Sequence, residues 1–395
     1  MVLKIGDEIM NKRIPGETFK FMVTDEKIMK KTNKEINERY RVGEVRIITE
    51  QARYPIKSIK DMIEGDDYKT NPEYQRRKRW DNGKKSRLIE SFIINVPLPP
   101  IFLYEYKYSK YEVMDGQQRL SAICDFYSDK FPLEKLEYWK ELEGKTYSRL
   151  PDEIKRGIDR RYISSVVLLA ETAKNDEEAT RLKQIVFERL NSGGETLTGQ
   201  ESRNSLYNGA MNQLCLKLSK NEKFKRMWKI PINKDDLEQH DLYRKMTDVE
   251  YVLRFFAFRY IGQLRGTKET FFDAYLKNAN NFSDEVLKEL EALFTDVINI
   301  VWEIFQENAF VPYKLNQPTL YIYDSLMQSI SQYVDKKSSL IKNKSLIKNK
   351  IKSEEMTRVI FKEDKLLFDG RYDNNIIVQK RINYFNKVIE ESING

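Results

Sequence analysis

Histidine is almost missing from this 395-residue sequence, which has a single one, His240. A metal centre built on several imidazoles is therefore excluded, and so is His-metal nuclease chemistry of the HNH type. Any metal here is a hard ion held by carboxylates and phosphates, most naturally magnesium. His240 stands in the polar stretch Asp235 to Asp241 and reads as a surface loop residue, with a lone general base as the alternative. Cysteine is scarce too. Cys124 and Cys215 are far apart, which points to free thiols in a reducing compartment rather than a disulfide. No apolar run reaches the roughly 18 residues of a membrane span. The N-terminal residues carry acids early and lack an apolar block followed by small residues, which argues against a signal peptide. No Gly-x4-Gly-Lys-Ser/Thr sequence occurs, so a P-loop is excluded. These absences leave a cytoplasmic protein with no membrane partner.

What is present is charge and a sizeable apolar fraction, 33% and 40% of residues, in a chain of net charge +8. At about 100 to 200 residues per domain, two or three domains are expected. The positive charge is blocked. Arg76-Arg77-Lys78-Arg79 precedes Trp80, then Lys84, Lys85 and Arg87, and a second block from Lys336 to Lys352 has seven lysines and no acid. Such blocks suit a polyphosphate backbone, and equally a solvated basic face. The second block contains Ser-Leu-Ile-Lys-Asn-Lys twice in tandem, from Ser339 and from Ser345, and reads as a duplication in a flexible or frayed helical segment.

Along the chain, Arg46 to Ile48 reads as a short strand, Ile56 to Ile63 as a short helix, and Asn71 to Trp80 as an extended basic loop. Leu88, Ile89, Phe92 and Ile93 mark a helix stopped by the prolines at 97, 99 and 100. Ile101 to Tyr106, Lys110 to Met114 and Tyr162 to Leu169 are strand candidates. Beyond about residue 175 the pattern turns helical, with Leu182, Ile185, Val186 and Leu190 on one face. Thr198 to Glu201 and Thr247 to Glu250 both read as capping boxes. A stripe of Val286, Leu290, Phe294, Val297, Val301 and Phe305 gives a long helix. The fold class is α+β. An N-terminal extension (1–40), a mixed domain (41–172) and a mainly α-helical domain (173–395) are expected in that order.

The most chemically loaded stretch is Asp115-Gly116-Gln117-Gln118-Arg119. Before it, Tyr111 and Val113 alternate with Glu112 and Met114, as in a half-buried strand. After it, Leu120, Ile123, Cys124 and Tyr127 recur as one face of a helix. At such a strand-to-helix turn Asp115 is expected to be the N-cap, and Gly116 lets the backbone bend and a ligand approach. Helix-start amides with Arg119 favour phosphate, and Gln117 and Gln118 can hold a base, a ribose or a water. Spacing alone fits a plain helix cap equally well, with Arg119 paired to a neighbouring acid.

Four segments taken in order resemble one family: Asn71 to Arg76, Leu88 to Pro100, Asp115 to Arg119, and Phe187 to Gly194 with Leu197 to Glu201. It is the ParB/sulfiredoxin-like domain that forms the N-terminal half of GmrSD-type modification-dependent restriction proteins. The resemblance spans roughly residues 40 to 260. It implies nucleotide binding and hydrolysis in anti-phage defence, with Asp115, Gly116, Gln117, Gln118 and Arg119 as the phosphate site. Gln75 and Arg76 would face the same pocket, and Arg189, Asn191 and Glu201 would form a second wall. Sulfiredoxins carry a catalytic cysteine where this chain has Gln117, so that chemistry is not implied. The family often adds a His-rich HNH nuclease half, which a chain with one histidine does not supply.

Two functions from different classes follow. One is a nucleoside triphosphatase in which Asp115, Gln117, Gln118 and Arg119 act on the phosphates and a water, with Mg2+ carried by the nucleotide and Asp115 or Glu201 as a ligand. The other is a non-catalytic subunit, switched by nucleotide or binding DNA through Arg77, Lys78, Arg79 and Trp80. A separate nuclease or effector subunit is the expected further partner.

Overall fold

The computed structural model describes residues 14–21, 32–42, 47–70, 80–169, 176–191, 198–362 and 365–394. The chain divides into two compact units, Glu26–Leu197 on the one hand and Met1–Asp25 with Thr198–Gly395 on the other.

The first unit is α+β. Its strands are β1 (Thr49–Pro55), β2 (Tyr68–Lys69), β3 (Ile101–Lys107), β4 (Lys110–Asp115) and β5 (Tyr162–Leu168), in the sheet order β1-β5-β3-β4-β2. β3 and β4 form an antiparallel hairpin, β5 lies parallel to β3 and antiparallel to β1, and β2 lies parallel to β4. Besides the exposed helix Asn33–Val42, the helices are α1 (Ile59–Glu64), α2 (Asn82–Ile94), α3 (Gln117–Tyr127), α4 (Asp152–Asp159) and α5 (Asp176–Asn191). Side chains from α2 (Leu88, Ile89, Phe92) and α3 (Leu120, Ile123, Phe126) meet Ile101, Leu103 and Val113 of the sheet in one core.

The expected helices and strands from residue 56 to 169 are present with ends shifted by a few residues, while the expected loop from Asn71 lies outside the described residues up to Trp80. Strand β1 was not anticipated. Its sequence, Thr-Glu-Gln-Ala-Arg-Tyr-Pro, shows no apolar alternation because it is an edge strand with mostly exposed residues. Of the expected strand from Arg46 to Ile48, Arg46 lies outside the described residues, and Ile47 and Ile48 lead into β1 without being part of it. β4 departs from the half-buried pattern: Val113 and Met114 point to opposite faces yet are both buried. α2 is capped by Asp81, which accepts from Lys84 N at 2.7 Å, and ends on Asn95 in the left-handed region at φ 62°, before the prolines.

The second unit is helical. It contains α6 (Gly199–Leu206), α7 (Thr247–Ala257), α8 (Lys268–Ala279), α9 (Asp284–Phe305), α10 (Leu320–Gln332), α11 (Lys337–Lys342), α12 (Lys344–Ile351) and α13 (Asn375–Asn394), with other helices between them and a small two-stranded sheet of Ile360–Lys362 and Lys365–Leu366. The expected stripe of α9 is buried at every position from Val286 to Phe305. Thr198 and Glu201 do form a capping box. The second expected box does not form: α7 starts from Met246 in the left-handed region, and Glu250 pairs instead with the buried Arg203 at 2.8 Å. Arg254 and Asp324 make a buried two-pronged pair at 2.6 Å.

Residues 14–21 belong to this unit. Glu17 and Arg259 form a buried pair at 2.9 and 2.6 Å, Gln263 bonds the backbone at Phe19 and Phe21, and the Phe19 ring packs edge-on to Tyr260, Phe271 and Tyr275. The expected frayed segment is ordered. Leu340, Ile347 and Ile351 are fully buried as α11 and α12 pack on α9 and α13. Among the described residues no helix is long and apolar enough to cross a membrane.

Candidate phosphate site at the strand-to-helix turn

β4 ends on Asp115, which pairs with Phe102 across the hairpin. Gly116 follows at φ 95°, ψ 5°, and α3 begins at Gln117. A Cβ at Gly116 would stand 2.4 Å from Ile101 Cγ2, so the fold itself demands glycine here. The N-cap is Gly116 and not Asp115. Asp115 is still part of the sheet, one residue too early to reach the first-turn amides, and its carboxylate accepts from Arg119 Nη2 at 2.9 Å. α3 therefore starts with no side-chain cap. Its first-turn N–H groups have no acceptor within the helix and carry the positive end of the helix dipole.

Arg119 is held tightly. Nη1 donates to the Pro99 carbonyl, and Nη2 to the Pro100 carbonyl at 3.2 Å as well as to Asp115. Its side chain is 12% exposed against 53% for Asp115. Burial pulls the guanidinium pKa down, and the Asp115 charge and hydrogen bond oppose that. The guanidinium thus fastens the proline-rich entry of β3 to the first turn of α3. The pairing of Arg119 with a neighbouring acid, which spacing left open, is the arrangement present.

The two glutamines differ. Gln118 Oε1 accepts from Trp80 N at 3.1 Å, tying the end of the basic stretch to the motif. Gln117 Oε1 is buried with no hydrogen-bond partner among the described residues. A buried acceptor left unmet costs about 1 to 3 kcal/mol.

The structure gathers Asp115, Gly116, Gln117, Gln118, Arg119 and Trp80 in one place. Gln75, Arg76, Arg77, Lys78 and Arg79 lie outside the described residues. Trp80 is half-buried and packs against the core, so its ring is not a free stacking platform. Lys85, read from the sequence as part of the basic block, is half-buried and bonded to Asp125 at 2.8 Å, while Lys84 and Arg87 remain exposed. Arg189 is exposed in the last turn of α5, which a Lys183–Glu112 pair at 2.6 Å fastens to β4. Asn191 ends α5, and its side chain lies outside the described part. Glu201 belongs to the helical unit, where its carboxylate accepts from Thr198 N at 2.8 Å in the capping box and is buried. That bond takes up one of its two carboxylate oxygens.

His240 is half-buried rather than in an open loop. It separates the short helices Lys234–Gln239 and Asp241–Arg244, and its Nδ1 is buried without a partner among the described residues. No group of three or more His, Cys, Asp or Glu side chains able to hold a metal occurs among the described residues. Burial raises the Cys124 thiol to about 11, so it is not a nucleophile at neutral pH.

Sequence reasoning missed Glu90. This buried carboxylate of α2 accepts from the backbone N–H groups of Glu137, Tyr138 and Trp139 at 3.0, 2.7 and 2.9 Å and so holds their loop. An acid inside the apolar run Leu-Ile-Glu-Ser-Phe-Ile-Ile was the available signal. It also missed the Pro99 and Pro100 carbonyls, for which backbone atoms give no signal in a sequence.

Residues 59–208 match the model of the family described as GmrSD restriction endonuclease, N-terminal domain. No curated protein and no solved structure matches the chain. The match begins at α1, takes in the Asp115–Arg119 turn and the whole of α5, and ends just after α6. Across this stretch the chain is a GmrSD-type N-terminal domain.

Proposed function

We propose that the turn from Asp115 to Arg119 binds the phosphates of a nucleoside triphosphate and promotes its hydrolysis, coupled to nucleic-acid sensing. The GmrSD-type domain sets the chain within restriction, a form of anti-phage defence. The observation that carries the nucleotide reading is the uncapped start of α3, with the unpartnered Gln117 Oε1 in its first turn. Amide N–H groups there would meet phosphate oxygens, and the Gln117 side chain would orient the attacking water. Arg119 would supply positive charge from a fixed position, since its carbonyl partners leave it little freedom to turn. For magnesium the fit is minimal. Asp115 offers one half-exposed carboxylate, which suffices when phosphate oxygens and waters complete the shell.

A second reading, nucleotide binding that switches the protein without turnover, is favoured by one observation. The Arg119 charge is already balanced by Asp115. In that reading the output passes to another subunit, such as a separate nuclease, and DNA is the sensed partner.

Phosphate release from each of the four nucleoside triphosphates with magnesium, with and without duplex DNA, separates the two. Turnover should fall by about 100-fold or more in Arg119→Ala, as when one transition-state donor is removed. Arg119 also holds the fold, so Gln117→Leu is the cleaner variant. Its oxygen bonds nothing among the described residues, so removing it should leave stability unchanged or raise it while turnover drops. Turnover equal to that of the intact protein in both variants would remove the site assignment, and nucleotide binding without any phosphate release would select the switch.

A further inference from the structure

The seven lysines between Lys336 and Lys352 are sorted by the fold into two kinds. Lys352 is turned inward, with Nζ donating to the carbonyls of Ala309 and Val311, and Lys350 pairs with Glu391 at 3.3 Å. Lys336, Lys337, Lys342, Lys344 and Lys348 are exposed, with no ion pair among the described residues. Five uncompensated charges therefore stand on thirteen consecutive residues that contain no acid.

The tandem hexapeptide explains how so short a segment both packs and stays basic. The first copy falls mainly on α11 and the second on α12, two helices separated at Asn343, and the two copies present different side chains to the core. Leu340 is buried while its counterpart Leu346 is 44% exposed, and Ile347 is fully buried while Ile341 is only partly so. The first lysine of the repeat escapes this alternation, Lys342 and its counterpart Lys348 both being exposed, whereas Lys344 is exposed and its counterpart Lys350 is paired with Glu391. The repeat thus carries exposed positive charge in both copies while different residues pack on the core.

We infer that α11 and α12 form a docking surface for the phosphate backbone of duplex nucleic acid. Charge of one sign, on a run of thirteen residues without an acid, matches a polyanion. All five charges are lysines, compact point charges that suit phosphate without the forked geometry used to read bases. Residues 336 to 350 contain no aromatic side chain, so there is no stacking platform for single-stranded bases. An anionic membrane fits less well, because Leu346 is the one largely exposed apolar side chain on this segment and cannot anchor it in lipid. The surface lies in the helical unit, away in sequence from the basic stretch at 76–79, and does not depend on the nucleotide reading, since no nucleotide enters its test.

The test measures binding of the full-length chain to a labelled duplex of arbitrary sequence, between about 50 and 200 mM salt. The variant replaces Lys337, Lys342, Lys344 and Lys348 by Gln, and a control replaces four exposed lysines elsewhere in the same unit, Lys220, Lys234, Lys277 and Lys288. The slope of log affinity against log salt should become shallower by about 2 to 4 in the first, at about 0.9 for each phosphate no longer neutralised, and stay near that of the intact chain in the control. Arginine at the same four positions should keep the slope, which separates the effect of charge from that of misfolding. An unchanged slope, or an equal change in the control, overturns the inference. So does a loss of binding to phosphatidylserine vesicles with duplex binding intact.

Discussion

A methyl group added to Gly116 would collide with Ile101 and would also sit on a residue at φ 95°. The backbone strain costs about 1 kcal/mol and the forced repacking about 1 to 3. Gly116→Ala should therefore lower stability by roughly 2 to 4 kcal/mol, read as a shift in the urea midpoint at unchanged slope. The result bears on how the motif is understood, because the glycine is fixed by the strand beside it before any ligand is considered. At this scale the sequence was readable where chemistry is local. Thr198 and Glu201 announced their capping box by spacing, and the apolar positions of α3 announced their burial. Thr247 to Glu250 gave the same signal without the structure, because a buried Arg203, 47 positions away, draws Glu250 off. Asp115 misled for a similar reason. Whether strand or helix claims the residue is settled by its pairing with Phe102, which spacing does not encode.

Among the elements, α2 owes part of its role to one ionised side chain. Burial alone would raise the pKa of Glu90, but the N–H groups of Glu137, Trp139 and Tyr138 outweigh it and hold the carboxyl below its ordinary value. A depressed folded-state pKa means that the unfolded chain takes up the proton first. The stability contributed by Glu90 is then complete above the ordinary carboxyl range near pH 4.5 and is lost as pH falls through the lower folded value. Glu90→Gln should cost about 2 to 3 kcal/mol at pH 7. Its deficit against the intact protein should shrink on acidification, as followed by denaturant melts from pH 7 to about 3. Elements with a strong apolar period, such as α2, α3 and α9, were legible. β1 was not, because an exposed edge strand has no apolar face to display. α11 and α12 read as frayed because their lysines dominate the composition, whereas three fully buried aliphatic side chains decide their order.

For the molecule as a whole, the division between units does not follow chain order. The α+β unit is bounded on both sides by segments of the helical one, and residues 14–21 complete that unit's aromatic cluster. A sequence reading places such residues in an N-terminal extension because eight residues carry no periodicity, and their partners lie more than 240 positions away. The joint is expensive to break. Glu17→Ala leaves the buried Arg259 without its carboxylate, which should cost about 3 to 5 kcal/mol. The loss should appear in the helical unit, as earlier protease cleavage between 198 and 395 with cleavage of the 26–197 unit unchanged.

That joint also orders events in time. Glu17 is synthesised 242 residues before Arg259. At roughly 5 to 20 residues per second it waits about 12 to 50 seconds for its partner. In that interval every residue of the α+β unit has been made and can fold, while Glu17 and Phe19 remain in water. The helical unit is therefore sealed last, by the residues made first. A ribosome that stalls before residue 259 would leave a folded α+β unit trailing an apolar segment at its N-terminal end, a ready target for chaperones.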